Sequence, residues 1–409
     1  MDFTPILTEP VAIVLLAVLA ASFIYLMVHY GVTFFHVGHW HLMQDDKHTS
    51  KSTPSPGELE EDASPEPVMA TDRSVKSDDR RLPPVSVIMT AHNDAEWLRE
   101  NIVYLLEQDY PNFEVVVVDY VSHDDTQFVL KLCSENYSHL KVVPFPADVN
   151  MFRGKKYPLS IGIKSAKHDI LLFADPDCVP KDFNWIREMV SGYDTTEKQI
   201  VLGYSGIKQE KTLLNWMQVY DNMVYNVSFL SSAIHGRPYT GCGRNLSYRR
   251  SFFFRQGAFI SHYRIAEGAD DMFVNQNARK DNTSVVLTSG SYVMSEAQKT
   301  FVLWHRFRRC RTATRRFYSA SQKLALLLPP LSLLLFYVAT VLLIVLKLFP
   351  WQIIVGVLAV KFAWQIVSVY QSVRRFGVKK VHWFSPFFEL YFLFANTFLF
   401  FTPLSNNKK

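Results

Sequence analysis

Blocks of apolar and polar residues divide the chain into an N-terminal apolar run, a polar stretch, a mixed region and a C-terminal apolar region. Residues 11–30 (VAIVLLAVLAASFIYLMVHY) carry no formal charge. They are long enough for a helix across the hydrocarbon of a bilayer. The residues before them include Asp2 and Glu9 but no Lys or Arg. A cleaved signal wants a basic start and a shorter apolar core, so a transmembrane anchor is expected. Residues 44–83 are rich in Ser, Pro, Asp, Glu and Lys and read as a flexible linker.

From residue 84 the pattern changes. Residues 85–90, 113–118, 140–145 and 169–174 are short apolar runs that predict strands, separated by helical patterns at 96–108, 125–136 and 157–165. This order predicts an α/β domain over residues 84–320, with a mostly parallel sheet covered by helices on both faces. Residues 213–233 predict a further helix, lying on a bilayer or in the core, with Asp221 and Asn222 on an apolar face. Apolar runs at 324–346, 351–370 and 383–404 predict three C-terminal transmembrane helices within 324–404. Pro329-Pro330 is expected to kink the first or bring it to the interface. Glu389, in the last, should face protein.

Basic residues orient these segments. Residues 301–323 hold six arginines, one lysine and no acid, and 371–382 hold Arg374, Arg375, Lys379 and Lys380. Both should face the cytoplasm, as should the α/β domain; Lys408-Lys409 would then lie outside, against the rule. The expectation is an integral protein of a bacterial cell membrane. Of the 409 residues 48% are hydrophobic, with 31 Phe and 19 Tyr, yet mean hydropathy is only +0.02, so apolar segments coexist with a polar domain. Net charge is +5, and no nucleic-acid partner is expected. The four cysteines have no C-x-x-C spacing, which argues against a disulfide framework or a zinc site.

Ligands of such sheets bind beyond the carboxyl ends of the strands. There the chain places Asp119 and, after residues 169–174, Asp175-Pro176-Asp177, its one D-x-D. Two carboxylates at a strand end can share Mg²⁺ or Mn²⁺ with the phosphates of a ligand, although Asp and Pro also favour plain turns. Arg153-Gly154-Lys155-Lys156 precedes a helix and suits an anion, or is an exposed basic loop. Gly241-Cys242-Gly243-Arg244-Asn245 would let backbone approach a ligand, or is a turn. Glu267-Gly268-Ala269-Asp270-Asp271 offers a general base, or favourable acids at a helix start.

Taken in order, these clusters resemble the family 2 glycosyltransferases of GT-A fold over most of residues 85–319. Thr90-Ala91-His92-Asn93-Asp94 is an altered P-x-Y-N-E, and Val117-Val118-Asp119-Tyr120-Val121-Ser122 is similar to V-V-D-D-G-S with Tyr120 replacing the second acid. Gly154–Gly162 resembles G-K-x-x-A-L-N-x-G, Asp175-Pro176-Asp177 resembles D-A-D, Gly241–Arg249 resembles G-x-G-R-N-L-A-Y-R, and Gly268–Asp271 resembles G-[ED]-D-D with Ala269 for the first acid. The resemblance implies that Asp119 contacts the nucleobase and that Asp175 and Asp177 hold the sugar nucleotide and a divalent metal, Mg²⁺ or Mn²⁺. It implies further substrate contacts from Thr90, Asn93, Lys155, Gly241, Gly243, Arg244 and Asn245. It makes Asp270 the base, with Asp271 as the alternative. Membrane synthases of the family carry Q-x-x-R-W where this chain has residues 304–311. Gln and the final Trp are missing there, leaving Arg308 and Arg309 as diphosphate contacts or as the basic flank of a membrane helix.

The expected function is inverting transfer of a sugar from a nucleotide-sugar donor, with UDP the commonest nucleotide in the family, to a lipid-linked or glycan acceptor at the membrane. Two other readings stay open. One is a processive polysaccharide synthase. The other is a non-catalytic membrane protein that binds a nucleotide sugar.

Overall fold

The computed structural model describes residues 10–40, 82–145, 154–263, 265 and 267–401. Nearly all of the expected linker, Arg153 and Lys408-Lys409 fall outside them. The first described element is helix α1 (Pro10–Tyr30). The α/β domain then runs β1 (Val85–Ala91), α2 (Ala95–Leu106), β2 (Phe113–Asp119), α3 (Thr126–Asn136), β3 (Leu140–Pro144), α4 (Lys156–Ser165) and β4 (Ile170–Phe173). Each predicted element is present, with ends moved by up to two residues. After β4 come β5 (Cys178–Pro180), α5 (Trp185–Val190), β6 (Ile200–Leu202), β7 (Ser205–Ile207), α6 (Leu213–Ile234), β8 (Leu246–Arg249), α7 (Arg250–Arg255), α8 (Asp271–Asn277), β9 (Thr283–Val285) and β10 (Val293–Ser295).

The main sheet has seven strands in the order β3-β2-β1-β4-β8-β6-β9, and a small sheet has the order β5-β10-β7. β1, β2, β3 and β4 are parallel to one another. β8 runs against both its neighbours, β4 and β6. Both faces of the sheet are covered, which is why β1 and β2 are mostly apolar, broken by Ser86 and Glu114, which bond to each other at 2.6 Å. Val85, Val87 and Met89 pack with Leu98 and Ile102 of α2 and Leu130 of α3. Ile88, Val116 and Leu171 share the opposite core with Ile163 of α4 and Met223 and Val227 of α6. Gly162 lets α4 lie close, since a Cβ there would meet Ile88 Cγ2 at 2.9 Å and Val118 Cγ2 at 3.1 Å.

α6 is a core helix rather than a helix resting on a bilayer. Asn222 and Asn226 are buried and donate to the Ser205 carbonyl at 2.7 and 3.1 Å. Asp221 pairs with Arg308 and Arg311 of α9 (Phe301–Thr312).

Three helices end the described chain: α10 (Ala320–Val345), α11 (Trp351–Phe376) and α12 (Ser385–Phe401). Helix α10 continues through Pro329 and Pro330. Among the described residues three helices are long and apolar enough to cross a membrane: Pro10–Trp40, Ala320–Val345 and Trp351–Phe376. Glu389 of α12 faces protein, paired with fully buried Lys361 of α11 and accepting from Tyr30 of α1. Tyr337 of α10 lies against the same two charges. The α/β domain rests on this bundle. Tyr204 stacks on Phe376 at 3.8 Å between ring centroids, and Gln209 Nε2 donates to the Lys379 carbonyl at 2.7 Å.

Candidate active site

The reversal of β8 builds the site. Its first residue, Leu246, pairs with Phe173, the last of β4. The turn Gly241–Asn245 is thereby delivered beside Asp175 and Asp177, which follow β4. Arg244 reaches across. Its Nη2 donates to Asp177 Oδ2 at 2.8 Å, and its Nε lies 3.6 Å from Asp175 Oδ2. Its Nη1 donates to Ser295 Oγ at 3.0 Å, and the guanidinium lies over the Phe307 ring. Lys155, the residue before α4, donates from Nζ to Asp175 Oδ1 at 2.9 Å. These four side chains line an open cleft of about 410 Å³, with Thr90, His92, Asp94, Trp97 and Tyr120 on its other wall. Burial holds the Asp94 carboxyl above its ordinary value.

Asp270 joins the site through the glycine turn. Its Oδ2 accepts the Gly243 N–H at 2.6 Å. Only glycine fits there, since a Cβ on residue 243 would stand 2.7 Å from that oxygen. Gly243→Ala should therefore push the carboxylate off its donor and lower kcat by about 10- to 100-fold, as ångström-scale misplacement does. Nucleotide-induced thermal stabilisation should be unchanged; a kcat equal to that of the parent protein would show that the contact does not matter.

The acidic loop is held by Lys156. This lysine is buried, and its Nζ donates to the carbonyls of His262, Ile265 and Glu267 at 2.9, 2.5 and 2.6 Å. Asp271 lies inside, accepting from Thr314 Oγ1, from the Met272 N–H at 2.8 Å and from Tyr318 Oη at 3.4 Å. Burial, then the neighbouring Asp270, pushes its carboxyl up to about 6. A folded value above the unfolded one gives stability that is complete below the unfolded value, near 4, and lost as pH rises through about 6. Ionised Asp271 thus costs up to about 3 kcal/mol. Asp271→Asn should melt higher than the parent protein above about pH 7, the gap closing toward about pH 4. Parallel melting curves across that range would contradict this.

Several other expected site residues lie elsewhere. Asp119 borders a neighbouring cavity of about 290 Å³ with Gln127 and Lys131, and its buried Oδ1 has no hydrogen-bond partner among the described residues. Asn93 has φ 57° and shapes the loop after β1, accepting from the His123 N–H at 2.8 Å. Gly241 serves packing, its Cβ position lying 3.1 to 3.3 Å from Leu202, Leu246 and Val274. Asn245 is fully buried beneath the cleft and joins Trp185, Tyr204 and Ser291. Arg308 is buried away from the cleft, on Asp221 and Asn396 and over the Trp304 and Phe392 rings. Arg309, on the same helix, is half-buried. Arg244 meets the D-x-D where Arg308 and Arg309 were expected as diphosphate contacts. Lys156 was expected only within a basic cluster that suits an anion or forms an exposed loop, and it is buried on backbone carbonyls instead; Ser295 was not anticipated.

Residues 86–255 match the model of the family described as glycosyl transferase family 2. Those residues form a family 2 glycosyltransferase domain. That family 2 domain is similar to glycosyltransferase AglE of Haloferax volcanii, with 31% identity over 124 residues, 30% of this chain and 39% of that protein. It is similar to poly-beta-1,6-N-acetyl-D-glucosamine synthase of Staphylococcus epidermidis, with 26% identity over 108 residues, 26% of this chain and 25% of that protein. The match thus spans well under half of either relative. Among solved structures, a mannosyltransferase from Pyrobaculum calidifontis in complex with GDP-Man and Mn²⁺ aligns with a TM-score of 0.53 at 18% identity, over 92% of this chain and 98% of that one. The likeness is one of fold, and it makes the family 2 domain a GT-A fold with apolar helices at both ends of the chain.

Proposed function

We propose that the chain is a membrane-bound inverting glycosyltransferase that moves one sugar from a nucleotide-sugar donor to a lipid-linked or glycan acceptor. One observation carries the reading. Gly243 binds Asp270 through its N–H, and the next residue, Arg244, binds Asp177. Consecutive Cα atoms are about 3.8 Å apart, so one tight turn ties the D-x-D to the acidic loop.

The donor's diphosphate would lie against Arg244, Lys155 and the D-x-D. An acceptor hydroxyl, on the Asp270 side, would attack the anomeric carbon from the face opposite the leaving group. Asp270 would take its proton. Arg244 and Lys155 would offset the charge that develops on the departing nucleoside diphosphate. Among the described residues no three His, Cys, Asp or Glu gather to hold a metal by themselves. The two D-x-D carboxylates nevertheless fit Mg²⁺ or Mn²⁺, which bind through one or two carboxylates together with substrate phosphates and water. When bound, such a cation adds positive charge at the leaving diphosphate. The basic stretches 301–323 and 371–382 support a cytoplasmic placement of the domain.

The test is thermal stabilisation of the purified chain by a panel of nucleotide sugars with and without Mn²⁺, followed by product analysis with radiolabelled donor and membranes. A metal-dependent shift and a single-sugar product support the reading. Absence of any shift overturns it, and a long polymer would make the chain a processive synthase.

A further inference from the structure

The two carboxylates of the D-x-D differ in what holds them. Asp177 is tied to Arg244, which is only 15% exposed and is fixed by Ser295, by the Phe307 ring and by Asp175 as well. Ser295 is itself anchored, donating from Oγ to the Gly206 carbonyl at 3.1 Å. Asp175 Oδ1, by contrast, is taken by Lys155, whose side chain is 62% exposed. Lys155 follows Gly154, whose φ of 104° lies where glycine is at ease. Breaking the Arg244 contacts would strand a buried guanidinium. Releasing Lys155 costs less, because its side chain is largely exposed and its ammonium is readily hydrated, although Asp175 is only 24% exposed.

We infer that Lys155 is a placeholder for the divalent cation: its ammonium occupies Asp175 in the free protein, yields that carboxylate to the metal when a nucleoside diphosphate arrives, and passes to the phosphates. Arg244 stays on Asp177 throughout. This rests on the proposed function and goes beyond it, because it makes nucleotide the condition for metal binding. An ammonium and a dication cannot share Asp175 Oδ1, since like charges at contact distance repel. The diphosphate resolves the conflict by giving the ammonium a new anionic partner and the metal further oxygen ligands. Without it the metal competes with a tethered cation for an incomplete site.

The probe is Mn²⁺ alone, titrated into the purified full-length protein and followed by the electron paramagnetic resonance signal of free Mn²⁺. The titration is repeated with UDP and with GDP. The parent protein should bind Mn²⁺ weakly alone and far more tightly with one of the diphosphates. Lys155→Met should tighten nucleotide-free Mn²⁺ binding by about 3- to 10-fold and weaken the diphosphate by a similar factor. Lys155→Arg should stay near the parent protein in nucleotide-free binding. Adding Asp175→Asn to Lys155→Met should remove the gain and so assign it to Asp175. Unchanged or weaker nucleotide-free binding in Lys155→Met overturns the inference, as does no Mn²⁺ binding by any of the proteins. A failure of the proposed function reads differently: neither UDP nor GDP would bind with or without metal, whatever residue stands at 155.

Discussion

Asp270→Asn should lower the rate of sugar transfer by about 10²- to 10⁴-fold, the usual contribution of a positioned general base. Donor affinity should stay within about twofold of the parent protein, because a group needed only as the acceptor loses its proton contributes to kcat rather than to ground-state binding. Asparagine preserves the geometry. Its Oδ1 can accept the Gly243 N–H that Asp270 Oδ2 accepts at 2.6 Å, so the turn carrying Arg244 keeps its place. What asparagine lacks is basicity. Two of the site's other acids are committed elsewhere. Asp177 is paired with Arg244 at 2.8 Å, and Asp271 is buried beneath Thr314 and Tyr318. Steady-state kinetics with donor and membrane acceptor, beside thermal shifts with donor alone, separate the two effects. An equal loss in both would make Asp270 a structural residue.

The second large effect lies in the helix bundle. Lys361 is fully buried, and its partner Glu389 is nearly so; Tyr30 and Tyr337 complete the polar cluster, so helices α1, α10, α11 and α12 all meet at one ion pair. Charges in an apolar bundle persist only when paired. Lys361→Met alone strands the carboxylate, and Glu389→Leu alone strands the ammonium. Either should destabilise the protein by about 3–5 kcal/mol, the range for breaking a buried pair from one side. The double replacement removes both charges and should recover most of that loss, since well-packed apolar residues can replace a buried pair at little cost. Thermal denaturation in detergent should rank the parent and double variants above both single ones. A double variant no better than the worse single would mean that the tyrosines and Gln365, which accepts from Lys361 Nζ at 2.9 Å, define the contact instead.

Local signals carried the first half of the domain. Residues 85–174 alternate apolar runs with helical periods, and the parallel sense of β1, β2, β3 and β4 follows from that alternation because parallel strands need crossover helices; their order does not. The D-x-D was legible for the same reason: it follows an apolar strand in a sheet whose ligand edge is known. The family motifs marked residues 241–245 and 268–271. What brings those motifs to Asp175 is the antiparallel entry of β8 beside β4, a long-range pairing no local pattern encodes. Asn245 shows the limit of a motif. It sits beside Arg244 in sequence, yet its amide points down into Tyr204 and Ser291, holding the turn from below. Arg308 shows a similar limit. A run of arginines beside a membrane helix reads as a basic flank, and only the fold reveals Asp221 of α6 waiting for two of them. The partner of Glu389 was the charge inside the apolar run 351–370, a lysine that only helix packing could assign to it.

A structure of the full chain with Mn²⁺ and the nucleoside diphosphate that stabilises it, solved with manganese anomalous scattering, probes the shared cleft most directly. The predicted result is one manganese peak on Asp175 and Asp177, bridged to the diphosphate, with Asp270 facing the vacated sugar position. A diphosphate bound in the cleft with manganese elsewhere, or with Asp270 turned away from it, would contradict the proposed chemistry.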